Sequence, residues 1–362
     1  MTPSAPLVRR SNLGSQFGLG EKLFSSAGEK RFATALEDGL DAVEAGLLHE
    51  MSFADNLADV TSRYLLDAGG KRVRPTLTLL TAQLGEGNSP SVITAAESLE
   101  ITHLASLYHD DVMDEANMRR GVPTAQNVWG NSVAILTGDL LFARASKLIA
   151  SLGEGAITLQ ADTFERLCLG QLHETIGPRD GENPIEHYIQ VLADKTGSLI
   201  AASAEMGVIF GNAPLEFRSP VKVFGEKIGI AFQLIDDVID LSDGEETGKT
   251  AGTDLRSGVA TLPLLYLRDL ALTDAAAAAL LQRLERDVAS AGNAADPNAA
   301  DPNAADLDAA IAELRDHEVT ARTLAEAHRW AREAVEALAP LPEGPVKKAL
   351  TRFADSIVER SN

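Results

Sequence analysis

Residues 89–114 read SPSVITAAESLEITHLASLYHDDVMD. Ser89 is a residue type that caps helix N-termini. Pro90 suits the first helical position, where no amide donor is needed. The stretch predicts one long helix closing near Asp114. Its apolar run over 101–108 ends on Asp110, Asp111 and Asp114. At i, i+1 and i+4 these three carboxylates share one helix face. Like charges so close repel unless cations sit among them. The helix end is therefore a candidate metal site, the alternative being a solvated acidic terminus.

The same spacing recurs at Asp236, Asp237 and Asp240, again after an apolar helical run, 228–235. Two copies favour metal binding over coincidence. Oxygen-only ligands suit a hard cation such as Mg²⁺, which prefers one or two carboxylates, water and substrate phosphates. Two facing clusters would clamp a diphosphate through metal ions.

Outward from these motifs, the pattern is helical. Phe32, Leu36, Leu40, Val43 and Leu47 line one face of a helix beginning near Arg31. Another helix ends on Gly69-Gly70, and one follows Pro75 over 76–84. Further periodic segments cover 133–152, 156–175, 183–195, 199–210, 221–241, 262–270, 308–338 and 345–358. No alternating strand or hairpin is read. The fold class is all-α. Residues 1–28 read as an N-terminal arm, and 29–362 as one helical domain. Asn-Ala-Ala-Asp-Pro repeats over 293–302 within a low-complexity stretch at about 291–307. A period of five matches neither helix nor strand, so a solvated loop insertion is expected.

The 362 residues are 45% hydrophobic and 23% charged, with only 5% aromatic. Ala and Leu dominate the apolar set, which favours helices. With 53 acidic and 32 basic residues the net charge is -21. That argues against nucleic acid and an anionic membrane surface as partners. An anionic small substrate then requires a locally basic or metal-bearing site. Cys168 is the only cysteine, so no intrachain disulfide forms, and a cytoplasmic setting is expected. No signal peptide is read, and no run of about 18 apolar residues spans a membrane.

Basic residues concentrate in two places. Gly69-Gly70-Lys71-Arg72-Val73-Arg74-Pro75 puts three cations within four residues at a helix junction, a compact anion site. Arg119-Arg120-Gly121 follows the first acidic cluster. It either complements a metal-held diphosphate or neutralises the adjacent carboxylates. His103 lies two turns before Asp110, where a histidine is ordinarily a core residue. Lys195-Thr196 and Gln233 carry no signal by themselves.

Taken with Gly138-Asp139, 248–254 (GKTAGTD) and Thr261-Leu262-Pro263, these motifs match a known set in order and spacing. Over residues 30–355 the chain resembles the trans-isoprenyl diphosphate synthases, or polyprenyl synthetases. The resemblance implies an antiparallel helical bundle around a central cavity, usually a homodimer. It implies that Asp110, Asp111, Asp114, Asp236, Asp237 and Asp240 hold two or three Mg²⁺ ions on the allylic diphosphate. Lys71, Arg74, His103 and Arg120 would bind isopentenyl diphosphate. Arg119, Lys195, Gln233 and Lys249 would bind the allylic diphosphate, with Lys195, Thr196 and Gln233 near the developing cation. The departing pyrophosphate would remove the proton, so no side chain need act as general base. The product would pass to a membrane-associated enzyme.

Val259 stands where many relatives carry a lysine, which puts one phosphate contact in doubt. A terpene cyclase would lack the second Asp-Asp-x-x-Asp cluster and the Gly-Lys-Arg site. A non-catalytic subunit would have lost aspartates or cations. Ala105 and Ser106 lie about one turn before Asp110. In relatives making short products a bulky aromatic near here closes the cavity. Two small residues predict a deep tunnel and a product of about C35 to C50. Close helix packing is the other reason for small residues there. Phe142 is a candidate floor, and a short-chain synthase is the alternative.

Overall fold

The computed structural model describes residues 26–242, 251–292 and 304–359. Most of the arm, Lys249 with its glycine-rich neighbours, and most of the low-complexity repeat lie outside the described residues.

The chain divides into two compact units. The first comprises residues up to 166, 198–226 and 335–356. It contains α1 (Ala27–Glu50), α2 (Asn56–Asp67), α3 (Val73–Ala82), α4 (Pro90–Met113), α5 (Ala125–Trp129) and α6 (Asn131–Ala150). Part of α7 (Glu154–Ile176), all of α9 (Ser198–Phe210), the start of α10 (Arg218–Asp240) and most of α16 (Pro345–Val358) complete it. The second unit holds the rest of α7 and α10. It also holds α8 (Pro184–Leu192), α11 (Thr253–Arg256), α12 (Leu262–Leu270), α13 (Ala275–Gly292), α14 (Ala304–Asp316) and α15 (Glu318–Ala337).

Local chemistry accounts for the boundaries. Ser26 caps α1 in a capping box with Glu29, so the helix starts at Ala27, inside the expected arm. Ser89 Oγ accepts from Val92 N, and Pro90 opens α4. Asp114 is the C-cap of that helix. In the first unit α4 is central: α1, α3, α6 and α9 all pack on it. Leu77, Leu80, Leu99, Ile101 and Leu104 are fully buried. In the second unit α12 packs on α8 and α13, and Arg322 of α15 stacks 3.8 Å over the Tyr266 ring of α12.

Several local features differ from the sequence reading. A two-residue hairpin joins β1 (Met118–Arg119) to β2 (Val122–Pro123). Arg120 (φ 53°) and Gly121 (φ 79°) form its turn, both left-handed as a type I′ connection requires. Strands this short show no alternation. The sequence reading does not include α13, an alanine-rich helix whose Ala277, Leu280 and Leu284 are buried. The stretch expected to run unbroken over 308–338 is two helices, because His317 Nδ1 accepts from Val319 N and starts α15 afresh. Finally, α8 ends at Leu192, and residues Ala193–Gly197 form a π-helical turn carrying Lys195 and Thr196. Single π-turns inside helical segments are frequent at functional sites.

Among the described residues, no helix is long and apolar enough to cross a membrane.

Candidate active site

In the first unit the C-terminal turn of α4 presents Asp110, Asp111 and Asp114. Asp111 is fully buried. Arg119 donates to its Oδ1 from Nε at 2.7 Å, with a terminal nitrogen at 2.6 Å. The Oδ2 atom is buried without a hydrogen-bond partner. Burial pushes the Asp111 carboxyl up, and the Arg119 charge opposes that. Arg119 thus pairs with the adjacent carboxylate Asp111. Arg120 points elsewhere: it donates to the carbonyls of Leu65 (2.8 Å) and Gly69 at the end of α2.

The basic loop is not a single cluster of three available cations. Arg72, only 5% exposed, pairs with Glu44 and, at 3.3 Å, with Glu100. Glu100 is itself 2% exposed. Withdrawing Arg72 to a ligand would strand that buried carboxylate, at about 3–5 kcal/mol. A charge-assisted hydrogen bond to phosphate returns only about 1.5–3 kcal/mol. Arg72 is therefore a structural cation, held at φ 49° as α3 begins.

Lys71 is exposed, and Arg74 has a buried Nε with no hydrogen-bond partner. Burial lowers the Arg74 value to about 10. Burial and then the charges of Arg74, Arg120, Arg119 and Arg72 hold His103 well below the usual imidazole range. His103 is therefore a neutral imidazole set in positive potential. An orphaned guanidinium donor in such a field fits an anionic ligand.

Ala105 and Ser106 are both buried, and Ser106 Oγ donates to the His103 carbonyl at 2.9 Å. Phe142 of α6 is half-buried, its ring 5.5 Å from His109 and 4.5 Å from Phe164. His109, directly before Asp110, sits 3.0 Å from the Ile135 carbonyl and 3.4 Å from Asp139.

In the second unit the last turns of α10 carry Gln233, Asp236, Asp237 and Asp240. Asp237 is 4% exposed, and its Oδ2 accepts from the Tyr188 hydroxyl at 2.8 Å and from Leu262 N at 3.3 Å. Burial pushes this carboxyl up to about 8, against those two hydrogen bonds. Asp240 accepts from Asp254 N at 3.1 Å, and its carbonyl accepts from Gly252 N at 2.6 Å. The Gly-Thr-Asp motif is thereby tied to the acidic helix end. Lys195 pairs with Glu174 of α7.

The sequence reading missed Tyr188 and Glu174. A periodic helix over 183–195 contains nothing that announces a carboxylate 49 positions away. Both residues also line a cavity of about 1030 Å³, as does Val259, at the expected lysine position. No candidate site residue lines it.

Among the described residues no three His, Cys, Asp or Glu side chains stand close enough to hold an ion by themselves. The acidic helix ends nevertheless suit Mg²⁺ shared with substrate. Asp111 keeps a free buried oxygen, and Mg²⁺ characteristically completes its octahedron with phosphate oxygens and water.

The polyprenyl synthetase family profile matches residues 55–296. A nonaprenyl diphosphate synthase of Mycobacterium tuberculosis is 40% identical over 336 residues, covering 92% of this chain and 96% of that protein. The structure of a decaprenyl diphosphate synthase from Rhodobacter capsulatus superposes with a TM-score of 0.78 at 34% identity. That match covers 92% of this chain and 99% of the other. A geranylgeranyl pyrophosphate synthase from Corynebacterium glutamicum, complexed with calcium and isoprenyl diphosphate, superposes with a TM-score of 0.76 at 38% identity. It covers 93% of this chain and 99% of the other. The all-α architecture and these similarities agree with the fold class read from the sequence.

Proposed function

Since this chain belongs to the polyprenyl synthetase family, we propose that it adds isopentenyl diphosphate units in trans to an allylic diphosphate, building a long-chain polyprenyl diphosphate. The observation that carries this reading is the pair of Asp-Asp-x-x-Asp helix ends, each with one buried carboxylate fixed by protein donors.

Asp110, Asp111 and Asp114 on α4, and Asp236, Asp237 and Asp240 on α10, would hold Mg²⁺ with the allylic diphosphate. Bound Mg²⁺ supplies Lewis-acid neutralisation of the charge that builds on the leaving pyrophosphate. Arg119, Lys195, Gln233 and Lys249 add donors to the same diphosphate. The Asp111 pairing restrains Arg119, and the Glu174 pairing restrains Lys195. Lys71, Arg74, Arg120 and neutral His103 receive isopentenyl diphosphate. Arg74 brings a donor that already lacks a partner.

As the allylic C–O bond breaks, its electron pair leaves with pyrophosphate. The oxygen dipoles of Thr196 and Gln233 face the resulting carbocation. The isopentenyl double bond then forms the new C–C bond. A proton leaves the condensed chain for the released pyrophosphate, so no side-chain base is required.

A long product, about C35 to C50, fits the small side chains of Ala105 and Ser106, which sit buried about one turn before the aspartates. The similarity to nonaprenyl and decaprenyl synthases points the same way. The short-chain alternative rests on the similarity to a geranylgeranyl synthase. A homodimer is supported by exposed apolar residues on α7, namely Ile157 (47%), Leu169 (43%), Leu172 (51%) and Ile176 (68%). We place the enzyme in the cytoplasm, handing its product to a membrane-associated acceptor enzyme.

Incubation with labelled isopentenyl diphosphate and separate C5, C10, C15 and C20 primers tests the reading. Mg²⁺-dependent long products are expected, abolished by EDTA. Asp110→Ala and Asp236→Ala should each lower the rate by about two to three orders of magnitude. Full turnover in chelator, or products ending at C15 or C20, would overturn it.

A further inference from the structure

Tyr188 belongs to α8, the helix that runs directly into the π-turn bearing Lys195. Its hydroxyl donates to Asp237 Oδ2 at 2.8 Å, and the amide of Leu262, first residue of α12, approaches the same oxygen at 3.3 Å. Three elements therefore meet on one carboxylate oxygen. The phenol is the stronger donor, since 2.8 Å is a normal O–H···O length while 3.3 Å lies beyond the usual amide range.

We propose that Tyr188 is a positioning residue, bracing the second acidic helix end against the helix that delivers Lys195. This rests on the assignment of that helix end to the allylic diphosphate. Asp237 is buried, so its orientation depends on the donors it meets. With Oδ2 occupied by the protein, only Oδ1 remains for any further partner, and the rotamer is set before substrate arrives. The same bond fixes α8 relative to α10, so Lys195 and Asp236 keep a defined spacing. Tyr188 also lines the 1030 Å³ cavity.

The test compares wild type, Tyr188→Phe, Asp237→Ala and the double variant, with Asp236→Ala as control. Calorimetry measures Mg²⁺-dependent binding of inorganic pyrophosphate, and steady-state kinetics measure kcat and both Michaelis constants. Tyr188→Phe keeps the ring and removes only the hydroxyl. It should weaken Mg²⁺–pyrophosphate binding about ten-fold or more. It should lower kcat and leave the KM for isopentenyl diphosphate unchanged. Adding Tyr188→Phe to Asp237→Ala should cost nothing further, because the brace then has no target. This non-additivity remains readable even if the single variant is less stable. Wild-type pyrophosphate binding in Tyr188→Phe, or additive losses in the double variant, overturn the brace alone. Undiminished pyrophosphate binding in Asp236→Ala overturns the assignment of the second acidic cluster, and the brace with it.

Discussion

Gly138 and His109 form a contact whose disturbance should reach the catalytic aspartates. A Cβ built on Gly138 of α6 would lie 2.3 Å from His109 Nε2, 2.5 Å from its Cδ2 and 3.2 Å from the Ala105 carbonyl. Ordinary contact begins near 3.4 Å, so Gly138→Ala must displace the ring by about 1 Å. The ring cannot swing away cheaply. Ile135 O at 3.0 Å, Asp139 at 3.4 Å and the Phe142 ring at 5.5 Å hold it. Overpacking of this kind costs about 1–3 kcal/mol of stability. The larger effect is functional, because His109 immediately precedes Asp110. A misplacement of about 1 Å at a reacting site lowers rates by about a hundred-fold, equivalent to ~2.7 kcal/mol of barrier. The assay is incorporation of labelled isopentenyl diphosphate at saturating Mg²⁺ and primer, with thermal unfolding as the fold control. Gly138→Ala should lose about two orders of magnitude in kcat while remaining folded. Adding His109→Ala should restore much of the loss by removing the ring that clashes. A kcat within two-fold of wild type in Gly138→Ala, at unchanged melting temperature, would refute the reasoning.

Other outcomes follow from the same geometry. Glu97, 7% exposed, has its carboxyl pushed from the ordinary 4.5 to about 7 by burial and then by Glu50. The native state keeps this proton longer than the unfolded chain, so stability falls as pH rises from about 5 to 7, by at most ~3 kcal/mol. Glu97→Gln should flatten the melting temperature across that window and raise it at pH 8; parallel curves for variant and wild type would count against it. Lys71→Ala or Arg74→Ala should raise mainly the KM for isopentenyl diphosphate, whereas Lys195→Ala should impair use of the allylic substrate; equal effects on one constant would dissolve the division. Ala105→Phe should shorten the product to about C15 or C20, seen by chromatography after dephosphorylation, with condensation intact; an unchanged length would move the tunnel elsewhere.

Much of this protein is written in local sequence. Ser89-Pro90 and the acidic run ending at Asp114 bound α4 to within a residue. Thr261-Leu-Pro and Pro345 open α12 and α16 where expected. Both aspartate clusters are legible as helix ends, because a helix face is fixed by residues a few positions apart. What local sequence leaves open is which partner a charged side chain meets. Lys71, Arg72 and Arg74 look equivalent in the chain. Glu44 and Glu100, each 28 positions from Arg72, remove that arginine from the set and leave Arg74 Nε unpaired. Arg119 meets Asp111 across the hairpin whose turn is Arg120-Gly121, a pairing that its place in the chain does not announce. Tyr188 acquires its role from Asp237, and Gly138 from His109. Hydrogen bonds and van der Waals contacts act over a few ångströms of space, whatever the distance along the chain. Periodicity therefore determined the helices and their acidic ends, and only tertiary packing decided which of their neighbours hold the site in place.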